Sequence, residues 1–140
     1  MKKILFLLFI AGVVLASAYF IYPFALRAVF SVSGTAEIIP GFAGRAGKPN
    51  TMLFLVAKNE GGVPVAVKKI INPAFPQNFQ MNPADLILPD VLTKSLYLEA
   101  FLNNHGELGV FRSGDMKGSA KGPFLIFSKK IRIRIDTSAK

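Results

Sequence analysis

The chain has 140 residues, 17 basic and 8 acidic, with a formal charge of +9, one histidine and no cysteine. That length favours a single domain. The missing cysteines exclude a disulfide framework, a lipoprotein acylation site, a cysteine metal site and covalent haem attachment through Cys-x-x-Cys-His.

The first element is apolar. Ile4 to Leu26 is 23 residues without a charge, and its only polar side chains are Ser17, Tyr19 and Tyr22. As a helix it measures roughly 34 Å at ~1.5 Å per residue, enough to cross a bilayer. Two readings stay open. Lys2-Lys3, the apolar run and Ala16-Ser17-Ala18 together have the form of a signal peptide with an A-x-A cut. That cut leaves Tyr19-Phe20-Ile21-Tyr22-Pro23-Phe24 as a greasy new terminus, which favours the second reading, an uncleaved transmembrane anchor over residues 1–30. Tyr19 and Tyr22 then lie near one interface, and Pro23 lies in the final turn. Either way Lys2-Lys3 stay cytoplasmic and residues 31–140 are exported, so we expect a single-pass inner-membrane protein whose domain faces the periplasm. Lys2, Lys3 and Arg27 flank the run, so the exported part holds 14 basic and 8 acidic residues, or +6. Export argues against nucleic acid. Anionic headgroups, an acidic protein partner or haem propionates fit this balance, and so does a plainly solvated basic surface.

Residues 31–140 read as strands and turns, since apolar residues alternate or run in short blocks between Gly, Pro and Asn. Ser31 to Ile38 is a first strand. Pro40 to Asn50 is a loop with three glycines and two prolines. Met52 to Lys58 is almost wholly apolar, the mark of a central strand covered on both sides. Asn59 to Gly62 turns the chain, and Val63, Val65 and Val67 share one face of the next strand. Prolines break up Ile71 to Asp90 into edge strands and turns, with a short strand at Asn78–Met81 and a helical turn near Pro83–Leu86. Leu96 to Leu102 is a strand turned back at Asn103-Asn104-His105-Gly106, with a brief return at Leu108–Phe111. Gly114 to Gly122 is a loop. Phe124 to Asp136 closes the domain, with Ile131, Ile133 and Ile135 facing a core and Arg132 and Arg134 facing solvent. About seven short strands predict an all-β, immunoglobulin-like antiparallel β-sandwich over residues 31–140.

The search for chemistry yields little. Gly41 to Lys48 has the outline of a phosphate loop, but Phe42 takes the first glycine position and Pro49 the magnesium-binding hydroxyl position. His105 reads as a hairpin-tip residue, with no second ligand at metal or haem spacing. The eight carboxylates are scattered, and Gly-x-Ser-x-Gly is missing. We therefore expect no enzyme and assign no cofactor. The last 24 residues carry seven basic side chains against Asp136 alone. Lys130, Arg132 and Arg134 on one strand face, with Val63 and Val65 of the earlier strand, form the candidate partner-contact surface. The plainer reading of the basic strand is an edge guarded by charge.

The order of several short elements is familiar. Ser33-Gly34-Thr35-Ala36-Glu37, Leu53–Lys58 and Gly62-Val63-Pro64-Val65-Ala66-Val67-Lys68-Lys69 are followed by Asn78–Met81, Leu98–Phe101 and Ser113-Gly114-Asp115-Met116-Lys117-Gly118. This order resembles the C-terminal immunoglobulin-like domain of the large tetratricopeptide-repeat cytochrome c-type biogenesis proteins, membrane-anchored subunits of the haem ligation machinery. Lys58 and Lys68 stand where that family has Arg. The repeats, credited in that family with holding apocytochrome, are missing, and there is one apolar segment where two are usual. The resemblance implies a non-enzymatic accessory module that docks on cytochrome c maturation components or another envelope complex. A β-sandwich binding a small apolar ligand, haem or lipid, between its sheets is the alternative, and no residue assigns haem.

Overall fold

The computed structural model describes residues 1–140. Helix α1 spans Lys2–Val29 without a break and has no buried residue. Its side chains are apolar on every face, which a helix packed on a soluble domain would hide. At ~1.5 Å per residue it is roughly 42 Å long, more than a ~30 Å hydrocarbon core. By length and composition it can cross a membrane. Pro23 lies in its last two turns, where a lost backbone hydrogen bond does least damage.

The chain passes from helix to domain in one step. Val29 is exposed, and Phe30, in extended conformation, is 1% exposed within the core. The domain then folds as eight strands: β1 Val32–Ile38, β2 Met52–Lys58, β3 Pro64–Ile71, β4 Gln77–Met81, β5 Ser95–Asn103, β6 Met116–Ser119, β7 Phe124–Leu125 and β8 Ile131–Ser138. A single-turn helix, α2, covers Ala43–Ala46.

The ladder follows one continuous path, β3-β2-β5-β6-β8-β1-β4, with β7 paired to the start of β5. The two ends of the path, β3 and β4, touch without a ladder between them. The result is a nearly closed, barrel-like sheet. The expected sandwich needs two separately bonded sheets, and β6 removes that separation by bonding β5 on one side and β8 on the other. The expectation of a loop over Gly114–Gly122 is corrected at the same place. The antiparallel expectation also fails at one seam: β1 and β8 are parallel, with Gly34 opposite Ile131 and Ile38 opposite Ile135. The intervening chain supplies the long crossover that a parallel pair requires. The brief strand expected at Leu108–Phe111 does not form, and Phe124 to Asp136 is interrupted by a turn before β8.

The core fills the inside of this sheet. Ile131, Ile133 and Ile135 point inward from β8 while Arg132, Arg134 and Asp136 are exposed, as their alternation predicts. Strand β2 has five consecutive buried residues, Leu53 to Ala57. Leu53, Leu55 and Ala57 join the core. Phe54 and Val56 face outward, sheltered by neighbours on β3 and β5, including Lys69 with its ammonium 5.8 Å from the Phe54 ring centre. The β2–β3 turn is held by buried Asn59. Its side-chain oxygen accepts from the amides of Gly61 and Val63 at 2.9 and 3.0 Å, and its amide nitrogen donates to Val91 O at 2.9 Å.

Strand β8 lies very close to both neighbours. A Cβ on Gly34 of β1 would come within 2.0 Å of Ile131 O, and one on Gly118 of β6 within 1.8 Å of Arg134 O. Neither backbone oxygen can rotate away. Gly118→Ala should therefore lower the unfolding free energy by about 1–3 kcal/mol. Gly44→Ala, where nothing lies within 4 Å, should leave it unchanged or slightly raised. Denaturant unfolding of the two variants in mild detergent checks the contrast.

Candidate functional site

The candidate contact residues separate in the structure. Arg132 and Arg134 stand exposed on the outer face of β8. They lie in register with Thr35 and Glu37 of β1, and Arg134 also with Ser119 of β6. Beyond β1, Thr35 donates to Asn78 Oδ1 of β4 at 3.0 Å. The outer wall of β4, β1, β8 and β6 is thus a polar surface. Neither arginine belongs to an ion pair. Because β8 is bonded on both sides, its charges do not guard an edge.

The other three candidates are displaced from that wall. Lys130 precedes β8 with φ of 58°, so its side chain does not continue the strand's outward row, although it is exposed. Val65 is fully buried and is corrected from contact residue to core. The cause is a cover on β3: the amides of Ile87 and Leu88 both donate to Val65 O, at 2.8 and 3.2 Å, and Ala66 bridges to Leu86. Val63 lies in the turn before β3 and is 40% exposed. It faces solvent at the end of the barrel where α1 leaves, away from the arginines' strand face.

The lysines of the β2–β3 hairpin are largely occupied. Lys58 pairs with Glu99 at 2.6 Å and Lys68 with Asp85 at 3.6 Å. Lys69 covers the Phe54 ring.

At the far end of the barrel the structure joins residues that sequence reasoning kept apart. His105 is not a free hairpin tip. Its Nε2 lies 2.8 Å from Asp115 Oδ2, and its Nδ1 accepts the Glu107 amide at 3.2 Å. These partners assign the proton to Nε2, which donates to the carboxylate. Asp115 Oδ2 also accepts the Arg112 amide at 2.7 Å, and the Asp115 carbonyl accepts the Ala139 amide at 2.8 Å. Asn103 holds the hairpin from within, accepting from Gly106 N and donating to Glu107 O, both at 3.0 Å. Both imidazole nitrogens are therefore engaged, joining the β5 turn to the loop before β6, and the Asp115 backbone ties that loop to the chain end. Two turn signatures, Asn103–Gly106 and Ser113–Asp115, bound one connection in the sequence, and that was the only available sign of the pairing.

Two concavities open at this end of the barrel. A polar cleft of about 160 Å³ is lined by Arg45, Lys48, Thr51, Asn103, Asn104 and Asp115 among others. A more open groove of about 570 Å³ runs between the end of β1, α2 and the β3–β4 connection, with Ile38, Ala46 and Phe75 on its walls. Glu37 is the only ionisable side chain lining it.

Fold and surfaces together define a barrel-like sheet domain carried on an exposed apolar helix, with one polar, arginine-bearing wall. No protein-family model matches the chain, and no curated protein matches it. Among solved structures, an alternative pilotin from the type II secretion system of Vibrio cholerae is similar at 9% sequence identity, covering 77% of this chain and 97% of that one, with a TM-score of 0.48.

The His105 network makes a direct prediction. The Asp115 side chain is 7% exposed and the His105 side chain 13%. His105→Ala leaves the buried Asp115 Oδ2 with the Arg112 amide as its remaining donor, and loss of the imidazole hydrogen bond should cost about 1 kcal/mol of stability. His105→Gln, whose amide can still donate, should recover part of it. Thermal unfolding of both variants checks this.

Proposed function

We propose that the chain is a membrane-anchored envelope protein whose domain works by docking on a protein partner, not by catalysis. One observation carries the reading: α1 is apolar all round, unburied, and continuous into the core at Phe30. A cut after Ala18 would leave Tyr19, Phe20, Ile21, Tyr22 and Phe24 on the mature domain, each 55–78% exposed. That stub would be a large apolar patch on a soluble protein. Retaining α1 places it in lipid. Lys2-Lys3 then hold the amino end in the cytoplasm, and the domain lies in the periplasm beside the inner membrane. Anchoring raises its concentration near other membrane components, so a weak contact suffices.

The contact surface in this reading is the Arg132/Arg134 wall, which offers two unpaired guanidinium groups suited to carboxylates of a partner. The partner class, a cytochrome c maturation component or another envelope complex, rests on the ordered resemblance in sequence, as does an immunoglobulin-like kinship of the sheet. Two elements of that resemblance, Ser33–Glu37 and Ser113–Gly118, hold the glycines against which β8 packs. Co-purification from detergent-solubilised membranes tests the proposal. Haem-ligation or c-type cytochrome subunits should accompany the protein and be lost with Arg132→Glu/Arg134→Glu. Recovery without any such subunit contradicts the partner class, and retention by the double variant contradicts the surface.

The groove beside Phe75 gives the ligand-carrying alternative its one foothold. It lies outside the core, not between two sheets, and its walls offer haem iron no histidine, methionine or tyrosine. Titration of the protein with micromolar haem should leave the free-haem absorption spectrum unchanged. A shifted Soret band would favour the carrier reading.

A further inference from the structure

The end of the barrel from which α1 departs differs from the polar wall. Four short links gather it around the helix exit. Arg27 pairs with Asp90. The Ser31 amide donates to Ile126 O at 2.8 Å, and the Ile126 amide to Lys94 O at 3.1 Å. Asn59 donates to Val91 O at 2.9 Å. The β2–β3 turn, the 82–94 connection and the 120–130 connection are therefore all fixed at the point where the helix leaves.

These connections display apolar side chains that nothing in the chain covers. Phe127 is 54% exposed, Ile87 53%, Leu88 47% and Val91 44%, with Val63 at 40% and Leu125 at 39%. Lys94, Lys121, Lys129 and Lys130 are exposed on the same connections. None of these lysines is in an ion pair, whereas Asp85 and Asp90 are neutralised by Lys68 and Arg27. Glu60 is the only unpaired acid on these connections. Exposed apolar residues also occur at the far end, Ile71 and Phe111 among them. Only the near set is tied to the helix exit, with no linker to lift it clear.

From this arrangement we infer that the helix-proximal end is a membrane-seating surface. Its apolar loop residues enter the headgroup–acyl boundary, and its lysines contact anionic lipid phosphates. This rests on α1 being a retained anchor. The chemistry follows that of interfacial protein segments, where buried apolar area and basic charge act together. The chain has no linker after Phe30, so inserting α1 brings these loops to the bilayer surface. The seating fixes the domain's orientation and holds the polar cleft and the groove, at the opposite end, away from the membrane.

The chain has no cysteine, so single cysteines report cleanly. Val13→Cys, Leu88→Cys, Phe127→Cys and Ile71→Cys, all at exposed positions, are labelled with an environment-sensitive fluorophore. The full chain is reconstituted in phosphatidylcholine vesicles with and without phosphatidylglycerol. Spin-labelled lipids then quench by depth. The expected result is deep quenching at position 13, blue-shifted emission and headgroup-level quenching at 88 and 127, and neither at 71. The effect at 88 and 127 should be larger with phosphatidylglycerol and diminished by Lys129→Glu/Lys130→Glu. Quenching at 13 with positions 88 and 127 behaving like 71 overturns the seating surface, leaves the anchor standing and points to a protein cover for these loops. No quenching at 13 removes the anchor and the seating with it.

Discussion

The structure depends on the burial of Phe30. One residue earlier the chain is an exposed helix, and at Phe30 it is inside the β core with Val32 and Ile126. Fully burying such a ring is worth about 1.5–3 kcal/mol. The ring's position also fixes geometry. Ser31 bonds Ile126 O at 2.8 Å and Ser33 bonds Ser128 O at 3.1 Å, so the chain is locked into the sheet immediately after the helix. There is no flexible tether. Helix and domain meet at a defined joint, and everything at that end of the barrel inherits its place from the joint.

The second constraint is the seating of β8 between β1 and β6. Its inward isoleucines supply the middle of the core, and its outward arginines supply the most basic part of the wall. Both neighbours give it room through glycine, Gly34 on one side and Gly118 on the other. The same strand closes one sheet out of what the sequence reads as two. Its alternation therefore settles both the core and the exposed charge, while its neighbours settle the topology.

Local pattern made part of this legible. The unbroken apolar block of β2, the isoleucine–arginine alternation of β8 and the Asn59–Gly62 turn each carry their structure in adjacent residues. The helical turn after Asn82 is equally local, with Asn82 Oδ1 accepting the Ala84 amide and Asp85 Oδ2 accepting the Asn82 amide. What was not legible depends on distant partners. Met116–Ser119 is a strand only because β5 and β8 flank it. The parallel β1–β8 pair joins the two ends of the domain's sequence. Val65 reads as a surface residue until the 86–88 segment is seen bonded to its carbonyl. Lys130 follows the strand's parity in sequence, but its left-handed backbone takes it off the strand. Of the candidate contact face, the two arginines were legible because strand period alone places them. The His105–Asp115 bond was hidden because it spans a connection with no regular structure.

The account makes α1 a retained part of the working protein. The direct measurement is the intact mass of the protein recovered from carbonate-washed membranes of cells expressing it. The account predicts a membrane-bound species near the full 15.2 kDa, with the Lys2-Lys3 end present. A released, soluble species beginning at Tyr19 would contradict it.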